Sequence, residues 1–271
     1  MRTAWVVLIA TVGFGQGAIP RTETVSNPRT GQFTSRTTFT AGPAVTMRVV
    51  EEQPYSAEEL FEHTQTLGDG TRIFTSYLHT RMYRDSTGRT RTERVIGPPE
   101  RTDPPMMVEI YDPVAGSRYV LDPDKQTAHR SVLPPQPQTK DRRVNLPATP
   151  ILPGGFGTNN LRPEYTSESL GTKELDGVMC EGRLNKTTYP AGAMGNDRPI
   201  VATSEVWYSQ DLKLVVLSKD FDPRTGENVR RLAKLSRSQP EYSLFQPPSN
   251  YTIVDETGPF AVTITRPGTQ Q

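Results

Sequence analysis

The chain has little of what enzyme active sites and metal centres are built from. One cysteine, Cys180, and three histidines, His63, His79 and His129, stand in 271 residues. A single cysteine excludes an internal disulfide, so stability must come from a packed core. Cys180 has no histidine near it in sequence and reads as a small buried hydrophobe rather than a reactive thiol. No histidine has a second His, Cys or carboxylate at ligand spacing, so no metal is expected. His63 and His79 flank an Asp-Gly hairpin, and a two-residue turn there would put them on opposite faces of the sheet. There is no Gly-x-Ser-x-Gly elbow and no serine with a placed base. Glu51-Glu52 and Glu58-Glu59 are local charge clusters, not carboxylates set across a cleft. The glycine-rich run at 153–157 leads into neither Lys-Ser/Thr nor a helical pattern, so it is not a phosphate loop. Catalytic residues and cofactors are therefore both expected to be none, and the role non-enzymatic.

An excess of charge is missing too. Lys and Arg number 31 against 30 Asp and Glu, which removes the basic surplus that bulk nucleic-acid binding requires. No stretch keeps a long helical period. What is abundant is proline, 25 residues, and glycine, 21 residues, as in a chain of many short strands and tight turns. At the N-terminus, Arg2, an apolar run at 4–13 and the small-x-small end Gly15-Gln16-Gly17 read as a secretory signal peptide. The run is too short to span a bilayer. Residues 1–17 are thus expected to be removed and the mature protein to be periplasmic or secreted, with no transmembrane segment.

Residues 18–44, rich in Thr, Arg and Ser with Phe33 and Phe39 as anchors, read as a loosely held arm. A first strand is expected at 45–50. Residues 55–67 fit a strand, with at most one helical turn near Ser56. The segment 67–71, Leu-Gly-Asp-Gly-Thr, is a hairpin signal. Residues 71–84 carry Phe74, Leu78 and Met82 on one side and Ile73, Tyr77 and Tyr83 on the other, in a strand long enough to require bending. The arginines at 81, 84, 89, 91 and 94 read as a solvated outer face or a guarded edge. Short strands at 108–111, 117–121 and 127–132, separated by Asp112-Pro113 and Asp122-Pro123 turns, predict a meander. Residues 133–163, with seven prolines, read as a long loop inside the domain. Strands are expected at 165–170, 172–175 and 178–188, with a hairpin turn at 175–178.

The stretch 199–235 organises the rest. It parses as three β-branched or aromatic runs separated by turns at 209–211 and 222–226, and its middle run, 212–217, is apolar on both faces, so it is an inner strand. Beyond it, 239–248 is irregular, and 251–254 and 260–264 can add closing or edge strands.

The C-terminal half resembles bacterial envelope proteins related to the lipoprotein carriers LolA and LolB and the regulator RseB, and exported proteins of soil bacteria with the same β layout. The residues that carry the likeness are Glu205-Val206-Trp207-Tyr208, the strand at 212–217, the turn at 222–226, the strand at 229–235, and Ser243-Leu244-Phe245-x-Pro247-Pro248-x-x-Tyr251. The resemblance implies a mainly β fold with little helix: a single curved antiparallel sheet of roughly nine to twelve strands, an unclosed half-barrel. It would occupy 45–254 as one domain, followed by a tail at 255–271 with a possible edge strand. The expected core includes Ile73, Leu78, Tyr111, Tyr119, Leu121, Trp207, Leu214, Val216, Leu232 and Phe245.

The resemblance also implies a concave face that holds a lipid or other apolar ligand. The candidate binding residues are Phe74, Leu78, Met82, Trp207, Leu214 and Val216, which offer more apolar surface than one sheet buries against itself. The competing expectation is a structural or protein-interaction module of the envelope, with that face filled by the chain's own loop at 133–163. A hydrolase is a more distant third reading.

Overall fold

The computed structural model describes residues 19–26, 32–95, 106–135 and 161–269. The signal segment 1–17, and 136–160 of the proline-rich loop, lie outside the described residues. Fifteen strands are present: β1 (Ile19–Ser26), β2 (Gln32–Ala41), β3 (Tyr55–Thr66), β4 (Arg72–Arg84), β5 (Thr90–Val95), β6 (Met106–Asp112), β7 (Ser117–Asp122), β8 (Thr127–Val132), β9 (Glu164–Leu175), β10 (Val178–Tyr189), β11 (Ile200–Ser209), β12 (Leu214–Asp222), β13 (Gly226–Ser236), β14 (Thr252–Asp255) and β15 (Phe260–Thr269). Among the described residues these fifteen strands are joined by one short 3-10 helix, Tyr242–Phe245, between β13 and β14.

The protein is mainly β. A twelve-stranded sheet runs β14-β8-β7-β6-β5-β4-β3-β13-β12-β11-β10-β9, and a three-stranded sheet runs β1-β2-β15. Among the described residues the large sheet does not close on itself, as expected, and β14 and β9 are its end strands. Its pairing is antiparallel except at β14, which runs parallel to β8. The chain divides into two compact units: 1–54, 82–137 and 239–271 in the first, 55–81 and 138–238 in the second.

In the first unit, the small sheet lies on one face of β6 and β7. Phe39, Ala41, Met107, Val120, Val262 and Ile264 form a buried cluster there. The opposite face of the same strands buries Ile110, Leu121 and Ala128 under Phe245 from the 3-10 helix. Burying each large side chain of this kind stabilises by about 1.5–3 kcal/mol. Residues 18–44, expected as an arm, supply β1 and β2. Their Thr-rich composition hides an alternation in which Thr37, Phe39 and Ala41 point inward. The strand expected at 45–50 is absent. That backbone is held by isolated bonds instead: Met47 N donates to the Tyr111 hydroxyl at 3.0 Å, and further along Glu52 N donates to Ser86 O at 2.8 Å.

The Asp-led turns take the form their sequences predict. Asp112 Oδ1 accepts from Val114 N and Ala115 N, Asp122 Oδ1 from Asp124 N and Lys125 N, and Asp222 Oδ1 from Arg224 N. Each carboxylate replaces a backbone acceptor at the bend. The arginine group corrects the expectation of a solvated face. Arg84 is buried and donates to Gln53 O at 2.8 Å, Arg89 bridges Asp85 and Asp112, and Arg91 binds Glu93 and Leu244 O. Only Arg91 of these lies in β5, an inner strand between β4 and β6; Arg84 ends β4 and Arg89 follows the Asp85 turn, while Arg81, 37 % exposed, keeps the expected solvated position.

In the second unit, β11, β12 and β13 are the three strands expected at 199–235, with β12 in the middle. The expected helical turn near Ser56 does not form, because β3 begins at Tyr55. The two strands expected at 165–170 and 172–175 are one, β9, with a register shift opposite Gly182 and Arg183. Ile73, expected in the core, is 46 % exposed, whereas Trp207, Val216 and Leu232 are buried. Cys180 is a free, buried thiol, and burial pushes its pKa up, as suits a small hydrophobe.

Candidate ligand-binding face

The two faces of the second unit are set by the β3–β4 loop. Leu67 N donates to Thr71 O at 2.8 Å and Gly70 N to Leu67 O at 2.9 Å, with Gly70 at φ +85°. The loop is therefore three residues long, closed by a left-handed glycine. One residue more than a two-residue turn reverses the pairing parity. His79 Nδ1 lies 2.8 Å from Glu59 Oε2, and His63 lies four residues further along β3, on the same face as Glu59. This corrects the expectation that His63 and His79 occupy opposite faces.

Directly paired residues share a face. The register Trp207 to Leu217, Leu217 to Arg231 and Arg231 to Leu60 lays one row across β11, β12, β13 and β3. Phe61 and Tyr77 pack together on the opposite face, with ring centroids 5.3 Å apart, so Leu78 and Phe74 fall on the face of Leu60. From Trp207 to Leu78 the row crosses four strand spacings, on the order of 20 Å. Paired charges flank it: Arg231 with Glu62 at 3.3 Å, and Lys219 with Glu227 at 2.9 Å.

The candidate residues take different positions. Phe74 is 62 % exposed, and Leu78 and Leu214 are half-buried. Trp207 is 7 % exposed and is engaged on every side: its Nε1 donates to Glu205 Oε1 at 2.6 Å, the Lys173 ammonium lies 5.6 Å from its ring, and the ring crosses Gly182. Val216, 3 % exposed, lies at the register shift between β11 and β12. Met82 belongs to the first unit. Phe74, Leu78 and Trp207 thus share one face. Leu60, Leu217 and Phe221, which also line it, were not singled out from the sequence; their alternation within β3 and β12 was the available signal.

The opposite face carries a polar and aromatic cluster that sequence reading missed. Phe61 lies 6.4 Å from the His79 ring, and the Arg230 guanidinium stands 5.6 Å over Phe61. His63 Nδ1 lies 2.8 Å from Asn228 Oδ1. Burial pushes the Tyr77 phenol up. Burial also raises the Glu59 carboxyl, but the hydrogen bond and field of His79 and the charge of Arg230 outweigh it, and the net shift is downward. The spacing Glu59, Phe61, His63 on β3 would have revealed the cluster had the loop length been read correctly.

Thr80 Oγ1, His79 and Glu59 superficially resemble a nucleophile, base and acid. Both contacts, at 2.8 Å each, fall on the same nitrogen, Nδ1, so no proton relay runs through the ring. No group of three His, Cys, Asp or Glu able to hold a metal occurs among the described residues.

Because the Glu59 pKa is depressed, its contribution is present above the unfolded-state carboxyl range and is lost as pH falls through the lower folded value. Glu59→Gln is expected to destabilise by about 1–3 kcal/mol at pH 7. The gap from wild type should shrink below about pH 4. Urea melts at both pH values check this, and a gap that does not change with pH would contradict it.

No protein-family pattern and no curated protein matches the chain. Solved structures do match. A conserved protein of Thermus thermophilus is 9 % identical over 75 % of this chain and 91 % of its own, at a TM-score of 0.37. The MucA/MucB complex of Pseudomonas aeruginosa is 12 % identical over 75 % of this chain and 59 % of the matched one, at 0.36. A LolA superfamily protein of Nitrosomonas europaea is 9 % identical over 73 % of this chain and 92 % of its own, at 0.27. No helix among the described residues is long and apolar enough to cross a membrane.

Proposed function

We propose that the chain is a non-enzymatic binding protein, exported to the bacterial envelope, that holds a lipid or other apolar ligand on the face of the second unit bearing Leu60, Leu78, Phe74 and Leu217. The observation that supports this reading is the row Trp207, Leu217, Leu60 and Leu78, broken only by Arg231, with an aromatic side chain that is 62 % exposed four residues along β4 from Leu78. Phe74 gains nothing where it stands, whereas covering it with an acyl chain removes apolar surface from water. Trp207 serves as the fixed floor of the row, because its indole N–H is already satisfied and its ring is pinned over Gly182.

The test is organic extraction of protein recovered from the periplasm or medium, with mass spectrometry of the extract and of the intact chain. The expected result is a co-purifying lipid and a mass lacking the first 17 residues. Phe74→Asp, at an exposed position, should weaken binding of an apolar dye by about tenfold or more. No lipid, together with dye binding unchanged in Phe74→Asp, removes the ligand reading and leaves an envelope interaction module. A mass retaining Met1 removes export.

A further inference from the structure

From the opposite face of the same unit we infer a second binding site, for a neutral polyhydroxyl ligand of the oligosaccharide class. Two adjacent register rows run across five strands there. One is Phe61, Arg230, Ser218, Val206 and Arg183; the next is His63, Asn228, Asp220, Ser204 and Asn185. At the β4 end, Tyr77 and His79 extend Phe61 into a patch of three rings with centroid separations of 5.3–6.4 Å. The result is a cluster of three rings, tilted 44–50° to one another, continuous with a strip of amide, hydroxyl, carboxylate and guanidinium groups in which Ser204 is buried.

These two rows contain no lysine or glutamate, and their polar groups are mostly short and planar. The platform is also fixed in place: the His63 to Asn228 bond at 2.8 Å, the Glu59 to His79 bond and the Arg230 guanidinium over Phe61 hold its orientation. Asp220, half-buried in the middle of the strip, has no hydrogen-bond or ionic partner among the described residues. Its carboxylate can accept from two adjacent hydroxyls, and Asn185 and Asn228 supply both donors and acceptors beside it.

Charge selects among occupants. Arg183 and Arg230 are balanced by Asp220 and Glu59, so the site favours a ligand without net charge, and a polyphosphate backbone finds no basic excess. An acyl chain is disfavoured, since covering the strip would strand several polar groups without partners. A sugar meets both halves of the surface, its C–H faces against the Tyr77 and His79 rings, since Arg230 covers Phe61, and its hydroxyls on the strip.

The experiment uses the full chain and saturation-transfer NMR with three probes separately: chitotetraose, cellotetraose and maltotetraose. Saturation transfer to at least one is expected, with binding about tenfold weaker in Asp220→Ala and lost in Tyr77→Ala. Asp220→Ala removes an unpartnered group and should leave the melting temperature unchanged, so it remains informative should Tyr77→Ala fold poorly. Phe74→Asp, on the other face, should leave sugar binding intact. No transfer from any of the three probes, or transfer undiminished in Asp220→Ala, overturns the proposal. Either result leaves the apolar-ligand reading standing, because that reading is measured by lipid extraction and dye binding.

Discussion

Gly226→Ala is expected to lower the melting temperature of the protein by roughly 10 °C, corresponding to about 3–5 kcal/mol. Gly226 opens β13 directly after the Asp222 turn, at φ +96°. A β-carbon there would sit 2.2 Å from Thr64 O and 3.1 Å from Gln65 Cα. Both contacts are backbone of β3, the strand to which β13 is paired, so neither can swing aside. Two costs add: the left-handed conformation disfavours any L side chain, and the clash forces β13 away from β3. Gly177→Ala provides the control. Gly177 has φ +79° but open space around it, so only the conformational cost, about 1–2 kcal/mol, applies. Thermal melts followed by near-UV circular dichroism decide the matter. A fall in Gly226→Ala no larger than in Gly177→Ala would show that the strand contact does not matter.

The Gly226 turn was fully legible in the sequence, and its clash with β3 was not. Asp-Pro and Asp-Gly turns announce themselves because one side chain and one φ angle define them locally. The meander β6 to β8 and the trio β11 to β13 follow from such signals. What strand pairs with what across long separations leaves no local trace. Residues 33–41 look like a Thr-rich arm until β15, more than 200 residues later, supplies Val262 and Ile264 to cover Phe39 and Ala41. The small sheet was invisible for that reason. The arginines failed similarly: their charge suggested water, but their position inside the sheet supplied carboxylates and carbonyls that satisfy them. The candidate face was half legible. Alternation correctly placed Phe74 and Leu78 together. One miscounted loop residue at Gly68 to Gly70 concealed that Glu59, Phe61, His63, Tyr77 and His79 gather on the other side.

Phe245→Ala is the second large effect, and it falls in the first unit. Phe245 is fully buried and is carried by a four-residue 3-10 helix that has no side-chain cap. Its ring fills the space over Ile110, Leu121 and Ala128, with Tyr83, Tyr119 and Tyr251 at the margin. Truncation removes the largest apolar side chain holding that helix to the sheet, with an expected loss of about 3–5 kcal/mol. The helix has three lesser ties: Leu244 packs at the margin of the same cluster, Arg91 donates to Leu244 O at 3.0 Å, and the Arg89 guanidinium lies 5.2 Å from the Tyr242 ring. These contacts hold its rim but do not fill its underside, so the cavity is expected to loosen the whole segment 239–251 rather than stay a sealed void. Phe245→Leu keeps most of the volume and should cost less than about 1.5 kcal/mol. Hydrogen exchange separates the two outcomes. In Phe245→Ala the amides of Leu244 and Gln246, bonded to Glu241 O and Ser243 O, should lose protection far more than those of β6 and β7, which stay paired in the sheet. Equal loss across the helix and both strands would mean that Phe245 supports the sheet itself, and unchanged protection at Leu244 would mean that Leu244 and the two arginines suffice to hold the helix in place.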